Sequence, residues 1–408
     1  MNELIIHTHC YFDGLAYHDK GPYRLHIKAG QIDSIVGIAS EPAELCPECS
    51  EADILEVEFL MPGLVEAHCH LFLDGGELDF TARSAYLKAE RMQMLQTARR
   101  SVEASRAAGI TLIRDAGDRY GINHAMRQEY ADHEGAPVIR SPGLGLRQPK
   151  KYGAFMAREV STECEIREAV AEAAQHANDL KILLTGIIDF EAGAVTSSPQ
   201  FDLAQLKLML ALAADSGLKT FAHCSGLDGL KLAVEAGVDS IEHGFFMTAD
   251  ILEVMAQKQI AWVPTFSPVH FQWLRPELAN WSEQTIGNLR RILDDHLYHV
   301  EMAHRKGVPL VAGSDAGSYG VCHGSALIDE LGFFLEAGVP MLQVLQSATS
   351  RPRRLWNCQS ANITAKTPAD FVVLGASPFE HAQALRDVRM TCSKGGLVMH
   401  DQPAEVTV

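Results

Sequence analysis

Residues 201–243, FDLAQLKLMLALAADSGLKTFAHCSGLDGLKLAVEAGVDSIEH, carry one structural unit twice. An amphipathic helical stretch from Phe201 to Ser216 leads into a short strand, Lys219 to His223, and a second stretch, Leu227 to Ala236, leads into Asp239 to His243. Downstream, Ala249 to Gln259 precedes Ile260 to Thr265, and Glu283 to Arg305 precedes Pro309 to Gly313. Upstream, Thr97 to Ala108 precedes Thr111 to Asp115, and Glu163 to Asn178 precedes Leu180 to Leu184. Helices alternating with strands of β-branched and aliphatic residues predict parallel strands joined by crossover helices. With Met61 to His70 and Val138 to Ser141 the count reaches eight strands, so residues 61–354 are read as a (β/α)8 TIM barrel.

The two ends have another texture. Leu4 to His9, Tyr23 to Lys28, Ile32 to Val36 and Ile54 to Leu60 read as strands separated by turns, and so do Phe371 to Leu374 and Gly395 to Met399. Residues 1–60 and 355–408 together are expected to form a small β-sandwich domain.

Composition narrows the function. The 408 residues hold 35 Lys and Arg against 52 Asp and Glu, a net charge of −17, with 47% hydrophobic and 21% charged residues. Such a chain can bury a large core, and its negative field argues against nucleic acid or an anionic membrane as partner. No apolar run reaches the roughly 18 residues of a membrane span, and the start, MNELIIHTHCYFDG, lacks the basic-then-apolar pattern of a secretion signal. Nine scattered cysteines suit reduced thiols and a cytoplasmic location. Cys46 and Cys49 have zinc-knuckle spacing but no second pair, so no metal is expected there. Oligomeric state leaves no trace in the sequence, and a homo-oligomer is allowed.

The residue types suited to metal binding fall at strand ends. His68-Cys69-His70 closes the first barrel strand, and period-2 geometry aims both imidazoles to one side. His223 closes the fifth strand, His243 the sixth, and Asp315 follows the eighth, while Lys181 lies within the fourth. Four histidines and an aspartate at the carboxyl ends of different strands would meet at one barrel mouth, where imidazole and carboxylate suit zinc or a similar divalent ion. His7-Thr8-His9 has the same spacing without such company and is read as structural.

These residues, in this order, resemble the amidohydrolase superfamily. FLMPGLVEAHCH (59–70) looks like its first-strand signature, IEHG (241–244) like the sixth-strand motif, GSDAG (313–317) like the eighth, and TPADFVVL (367–374) like the strand returning to the β domain. Within the superfamily the likeness is to binuclear zinc prolidase-like dipeptidases and arginine carboxypeptidases, with imidazolonepropionase-like proteins further off. It is carried by LKILLTG (180–186), WVPT (262–265) and His323-Gly324. The resemblance implies two divalent ions, zinc foremost, and a Lys181 carboxylated by CO2, because an ammonium has no lone pair for a metal whereas a carbamate can bridge two. It further implies His68, His70 and Asp315 on one ion and His223 and His243 on the other. The chain departs from that group at Ile187-Ile188-Asp189-Phe190, where a second glycine is usual after Gly186, and in the loop LGLRQPKKYG (144–153).

The expected chemistry is attack of a metal-bridged hydroxide on an amide carbonyl, in a peptide or an N-acyl amino acid. Asp315 would act as general base and then acid, and His243 and His323 would help orient the reacting groups. Arg147, Lys150 and Lys151 could receive a substrate carboxylate, and Tyr152 a substrate oxygen; the plainer reading is a solvated basic loop. The alternatives are a mononuclear deaminase or cyclic-amide hydrolase on the same fold, and a barrel with a decayed site. The glutamate that deaminases carry near the fifth-strand histidine is missing from the Cys224-Ser225-Gly226-Leu227-Asp228 stretch after His223, and every expected ligand position is intact.

Overall fold

The computed structural model describes residues 3–38 and 53–400, so the Cys46/Cys49 pair lies outside the described residues. The N-terminal strands are β1 (Glu3–Phe12), β2 (Tyr17–His18), β3 (Tyr23–Lys28), β4 (Gln31–Gly37) and β5 (Asp53–Pro62). Then come β6 (Leu64–Cys69), β7 (Ile110–Asp115), β8 (Val138–Arg140), β9 (Gly145–Arg147), β10 (Ala157–Glu159), β11 (Asp179–Leu183), β12 (Lys219–Cys224), β13 (Ser240–His243) and β14 (Ala261–Val263). The C-terminal strands are β15 (Phe371–Leu374), β16 (Val388–Ser393) and β17 (Gly396–Met399).

Strands from both ends of the chain share one eight-stranded sheet, ordered β17-β16-β15-β5-β1-β3-β4 with β2 on β1. In hydrogen bonding this is a single sheet and not the two separate sheets expected of a sandwich. The reason is β5, which pairs with β1 on one edge and β15 on the other. Alternation along β5 divides two cores: Leu60 packs with Leu4, Ile6, Leu25 and Phe371, while Phe59 and Met61 face the larger core of the α/β region.

The α/β region holds two parallel sheets, β6-β7-β8 and β10-β9-β11-β12-β13-β14. Its strands are buried almost throughout, as parallel strands covered by helices should be. The sequence predicts one strand from Met61 to His70, but the strand breaks at Gly63. There the Gly63 amide donates to the Asp370 carbonyl, and a Cβ would overlap Thr111 Oγ1 and the Asp370 carboxylate. The expected strand Pro309 to Gly313 is not regular; it contributes one parallel bridge, Leu310 to Trp262. The longer segment 309–316 still bonds on both sides. The Trp262 amide donates to Pro309 O and Val311 N to Trp262 O, while Ala67 N donates to Ala312 O, Asp315 N to His68 O and His70 N to Ala316 O. Between strands three and four, where the sequence predicts a loop, the structure forms β9 and β10.

Helix limits follow their caps. Thr162 and Asp202 each close a capping box, starting the helices Glu163–His176 and Leu203–Asp215. No helix among the described residues is long and apolar enough to cross a membrane.

Candidate metal centre and its pocket

The carboxyl ends of β6, β11, β12 and β13 and the segment 309–316 surround a cavity of about 240 Å³. His68, His70, Lys181, His223, His243 and Asp315 all line it. Ligand atoms of His68, His70 and Asp315 lie within 4.8 Å of one another. Asp315 Oδ1 is 3.4 Å from His70 Nε2 and 3.7 Å from His68 Nε2. The His243 ring centroid is 5.0 Å from that of His68 and 4.5 Å from that of His223. Lys181, fully buried, brings Nζ to 3.5 Å from His68 Nε2.

Hydrogen bonds orient the imidazoles. His68 Nδ1 donates to the Glu242 carboxylate at 2.6 Å, which leaves Nε2 with a free lone pair facing Asp315. Thr265 gives its hydroxyl proton to Pro264 O, so it accepts from His243 Nδ1 at 2.7 Å, and His243 Nε2 is likewise left open. The His70 Nδ1 atom is buried without a partner among the described residues. His243, Thr265 and Asp315 all have positive φ, 67°, 51° and 56°, in a region that non-glycine residues seldom occupy.

The electrostatics suit a cation. Burial lowers His68 to about 4 and His243 to about 3 and pushes His223 well down, so these imidazoles are neutral near pH 7. Burial alone would raise Asp315, but the His70 hydrogen bond and the His68 and His243 rings hold it well below the usual carboxylate range. Burial brings Lys181 down to about 8, which raises its neutral fraction. Neutral imidazoles around an anion, with a carboxylate behind one of them, form the donor set a divalent ion needs. The residues present therefore fit a metal centre.

A model of the amidohydrolase family matches residues 59–398. The chain belongs to that family. As an amidohydrolase it is a hydrolase acting on carbon–nitrogen bonds, as the resemblance implied. An uncharacterised protein of Mycobacterium tuberculosis is 29% identical over 315 residues, covering 76% of this chain and 77% of the relative. Ochratoxinase of Aspergillus niger is 24% identical over 371 residues, 83% of this chain and 75% of that enzyme. A solved Xaa-Pro dipeptidase with bound methionine has the same fold, with a TM-score of 0.82 at 23% identity, covering 98% of this chain and 100% of the other.

The remaining residues singled out in this amidohydrolase sequence divide sharply. Tyr152 lines the pocket, its ring 5.2 Å from His223, and burial pushes its phenol well up, so the hydroxyl keeps its proton. Arg147 does not reach the pocket: it lies in β9, donating to Gln148 O and Lys151 O and pairing with Glu159 at 2.8 Å. Lys150 is exposed outside the pocket, and Lys151 lines only a neighbouring cavity. The expected basic cluster fails because Glu159, on the adjacent strand β10, satisfies its one buried member. His323 is buried behind His70, bonded to the His70 backbone, and does not line the pocket. His7 pairs with Glu56 and accepts from Arg24, a structural setting.

Sequence reasoning missed the charged floor beneath the donors. Arg114 pairs with Glu242 at 2.9 Å, and its guanidinium lies 4.4 Å and 4.5 Å from the Phe221 and Trp356 ring centroids. Glu66 accepts from His68 N, Ser314 N and the Ser314 hydroxyl. The available signal was a charge inside each of the otherwise apolar strands LVEAHC, ITLIRD and SIEH, since a buried charge requires a partner.

Proposed function

We propose that the protein is a metal-dependent amidohydrolase that cleaves an amide bond in a small molecule, with two divalent ions at the mouth of a (β/α)8 barrel. The observation that carries this reading is the convergence of His68, His70, Lys181, His223, His243 and Asp315 on one pocket from five separate segments of chain. Hydrogen bonds from 309–316 to strands on both sides support the closed barrel.

His68, His70 and Asp315 would hold one ion and His223 and His243 the other, with Lys181 as a carbamate between them. Zinc suits this set of nitrogen and oxygen donors. The carbamate forms when the neutral Lys181 amine adds to CO2 and releases a proton. When bound, such ions supply Lewis acidity and lower the pKa of water towards neutrality. Asp315, held anionic, takes the proton of the attacking water and passes it to the leaving nitrogen. The Tyr152 hydroxyl, still protonated, donates to a substrate oxygen. Glu242 fixes the His68 ring in the tautomer that leaves Nε2 open.

A one-ion deaminase is the second reading. It draws on the fact that, among the described residues, the group of three or more His, Cys, Asp or Glu side chains whose ligand atoms all lie within 4.8 Å of one another is His68, His70 and Asp315. The 3.5 Å approach of Lys181 Nζ to His68 Nε2 favours the two-ion reading. Metal per chain, measured with product analysis over a panel of amides and cyclic amidines, separates them. Close to two metals with acid and amine as products is the expected result, and Asp315→Asn should lower kcat by about 10²–10⁴-fold. One metal with ammonia as product would replace this reading by the deaminase.

A further inference from the structure

The loop Gly186–Ala194 lies in the connection between β11 and the helix Leu203–Asp215 and lines the pocket together with the metal-type donors. Ile187, Ile188 and Phe190 line the pocket, in the stretch where the chain departs from the glycine usual after Gly186. Leu73, Phe155, Phe245 and Val269 continue this apolar lining. Ile187 remains 59% exposed, so part of this apolar lining is open to a substrate.

The loop is held in place. Asp189 and Ala194 exchange backbone hydrogen bonds, Asn288 Nδ2 donates to Phe190 O and Glu191 O, and Arg291 donates to Gly193 O. The Phe190 ring meets Trp281 edge-on at 6.0 Å. These bonds tie it to the long helix Glu283–Lys306 and preorganise the wall.

Charge balance adds a second constraint. The lysine and the carboxylate that line the pocket, Lys181 and Asp315, both belong to the donor cluster. Arg147 is committed to Glu159, and Lys150 and Lys151 stand outside the pocket. A substrate carboxylate set against Ile187 and Phe190, away from the donor cluster and the ions it would hold, would lose water and meet no side-chain cation among the described residues that line the pocket.

We propose that the Gly186–Ala194 loop is the specificity wall of the site and selects an amide flanked by an uncharged aromatic or branched aliphatic group over one carrying a carboxylate beside the scissile bond. The inference rests on the amide-hydrolase reading and deepens it. Ile187, Ile188 and Phe190 are the selecting residues, and Ile187 is the one the substrate covers.

A matched pair tests it: N-benzoyl-phenethylamine and N-benzoyl-phenylalanine, identical except for the carboxylate, offered to the protein loaded with zinc and bicarbonate. The neutral member should show kcat/KM at least about tenfold higher. Equal values, or preference for the carboxylate, overturn the proposal. Ile187→Arg should shift the ratio of the two kcat/KM values at least about tenfold towards the carboxylate, an effect that general loss of folding would not produce, and an unmoved ratio removes Ile187 from the wall. If neither compound is cleaved, the amide-hydrolase reading is decided by the metal content and the amide panel, and the wall by binding. Calorimetric Kd values for the same pair then decide the wall alone: tighter binding of the neutral member supports it, and tighter binding of the carboxylate overturns it.

Discussion

His68 Nδ1 and Glu242 Oε2 lie 2.6 Å apart on the buried floor of the pocket, although 174 positions separate the two residues in the chain. Glu242 is in turn held by Arg114 and by the Ser240 hydroxyl. Burial works against its anion, but Arg114 first and then His68 keep its carboxyl well below the usual range. One buried charge therefore sets the tautomer of the residue at the centre of the donor cluster.

Replacing that charge should be felt first in metal affinity. Glu242→Gln keeps the shape but weakens the hold on His68 Nδ1, and affinity is expected to fall by about 10–100-fold. Competition with a chelator of known affinity measures it. Arg114 would be left buried beside a neutral group, so thermal stability should fall as well, while Arg114→Met with Glu242→Gln should recover part of the stability but not the affinity. Unchanged affinity in Glu242→Gln would leave the pair as structural support only.

Gly63 links the two hydrogen-bonded regions, and its side-chain space is taken by Thr111 and Asp370. Asp370 Oδ1 accepts from the Thr111 hydroxyl and Asp370 Oδ2 from Arg353, so the obstructing groups are themselves fixed. Gly63→Ala should cost about 1–3 kcal/mol, seen as a lower urea midpoint at an unchanged slope. A midpoint equal to wild type would show that the junction can open.

The alternation of helix and strand was legible because burial on both faces makes parallel strands short apolar runs, and 201–243 shows two of them complete. The ligand-type residues were legible because strand ends are where such side chains can converge. The irregular pairing of segment 309–316 was not, because it bonds to two neighbours without forming a regular ladder and Asp315 takes a positive φ. The pairing of Arg147 was not legible because its partner, Glu159, comes from β10, which is three residues long and gives no period to detect. The pairing of Glu242 with Arg114 escaped notice because it depends on how β7 and β13 pack together and not on sequence spacing.

Glu330 offers a pH dependence outside the donor cluster. It accepts from Phe266 N, Ser267 N and the Ser267 hydroxyl at the start of the helix Ser267–Leu274, yet burial outweighs these bonds and raises its carboxyl from 4.5 to about 8. Between those values the folded protein retains a proton that the unfolded chain has released, so stability falls as pH rises through the window. The loss is complete above about pH 8. Glu330→Gln removes this titration, and the difference in Tm between wild type and variant should change steadily from pH 5 to about pH 8, with wild type losing ground. A difference that stays constant with pH would show that Glu330 is ionised throughout.

Lys181 provides the most direct reading of the centre. It is 1% exposed, and its amine, lowered to about 8, faces His68 Nε2 and the Phe221 ring. An ammonium there would repel a cation at His68, whereas a carbamate would attract two. With bicarbonate present during growth, wild type should carry close to two metals per chain by elemental analysis, and Lys181→Ala distinctly fewer. Protein prepared with 13C-bicarbonate should show a carbamate carbon resonance that Lys181→Ala lacks. One metal per chain unaffected by the substitution, with no carbamate signal, would leave Lys181 as a buried amine and return the site to a single ion held by His68, His70 and Asp315.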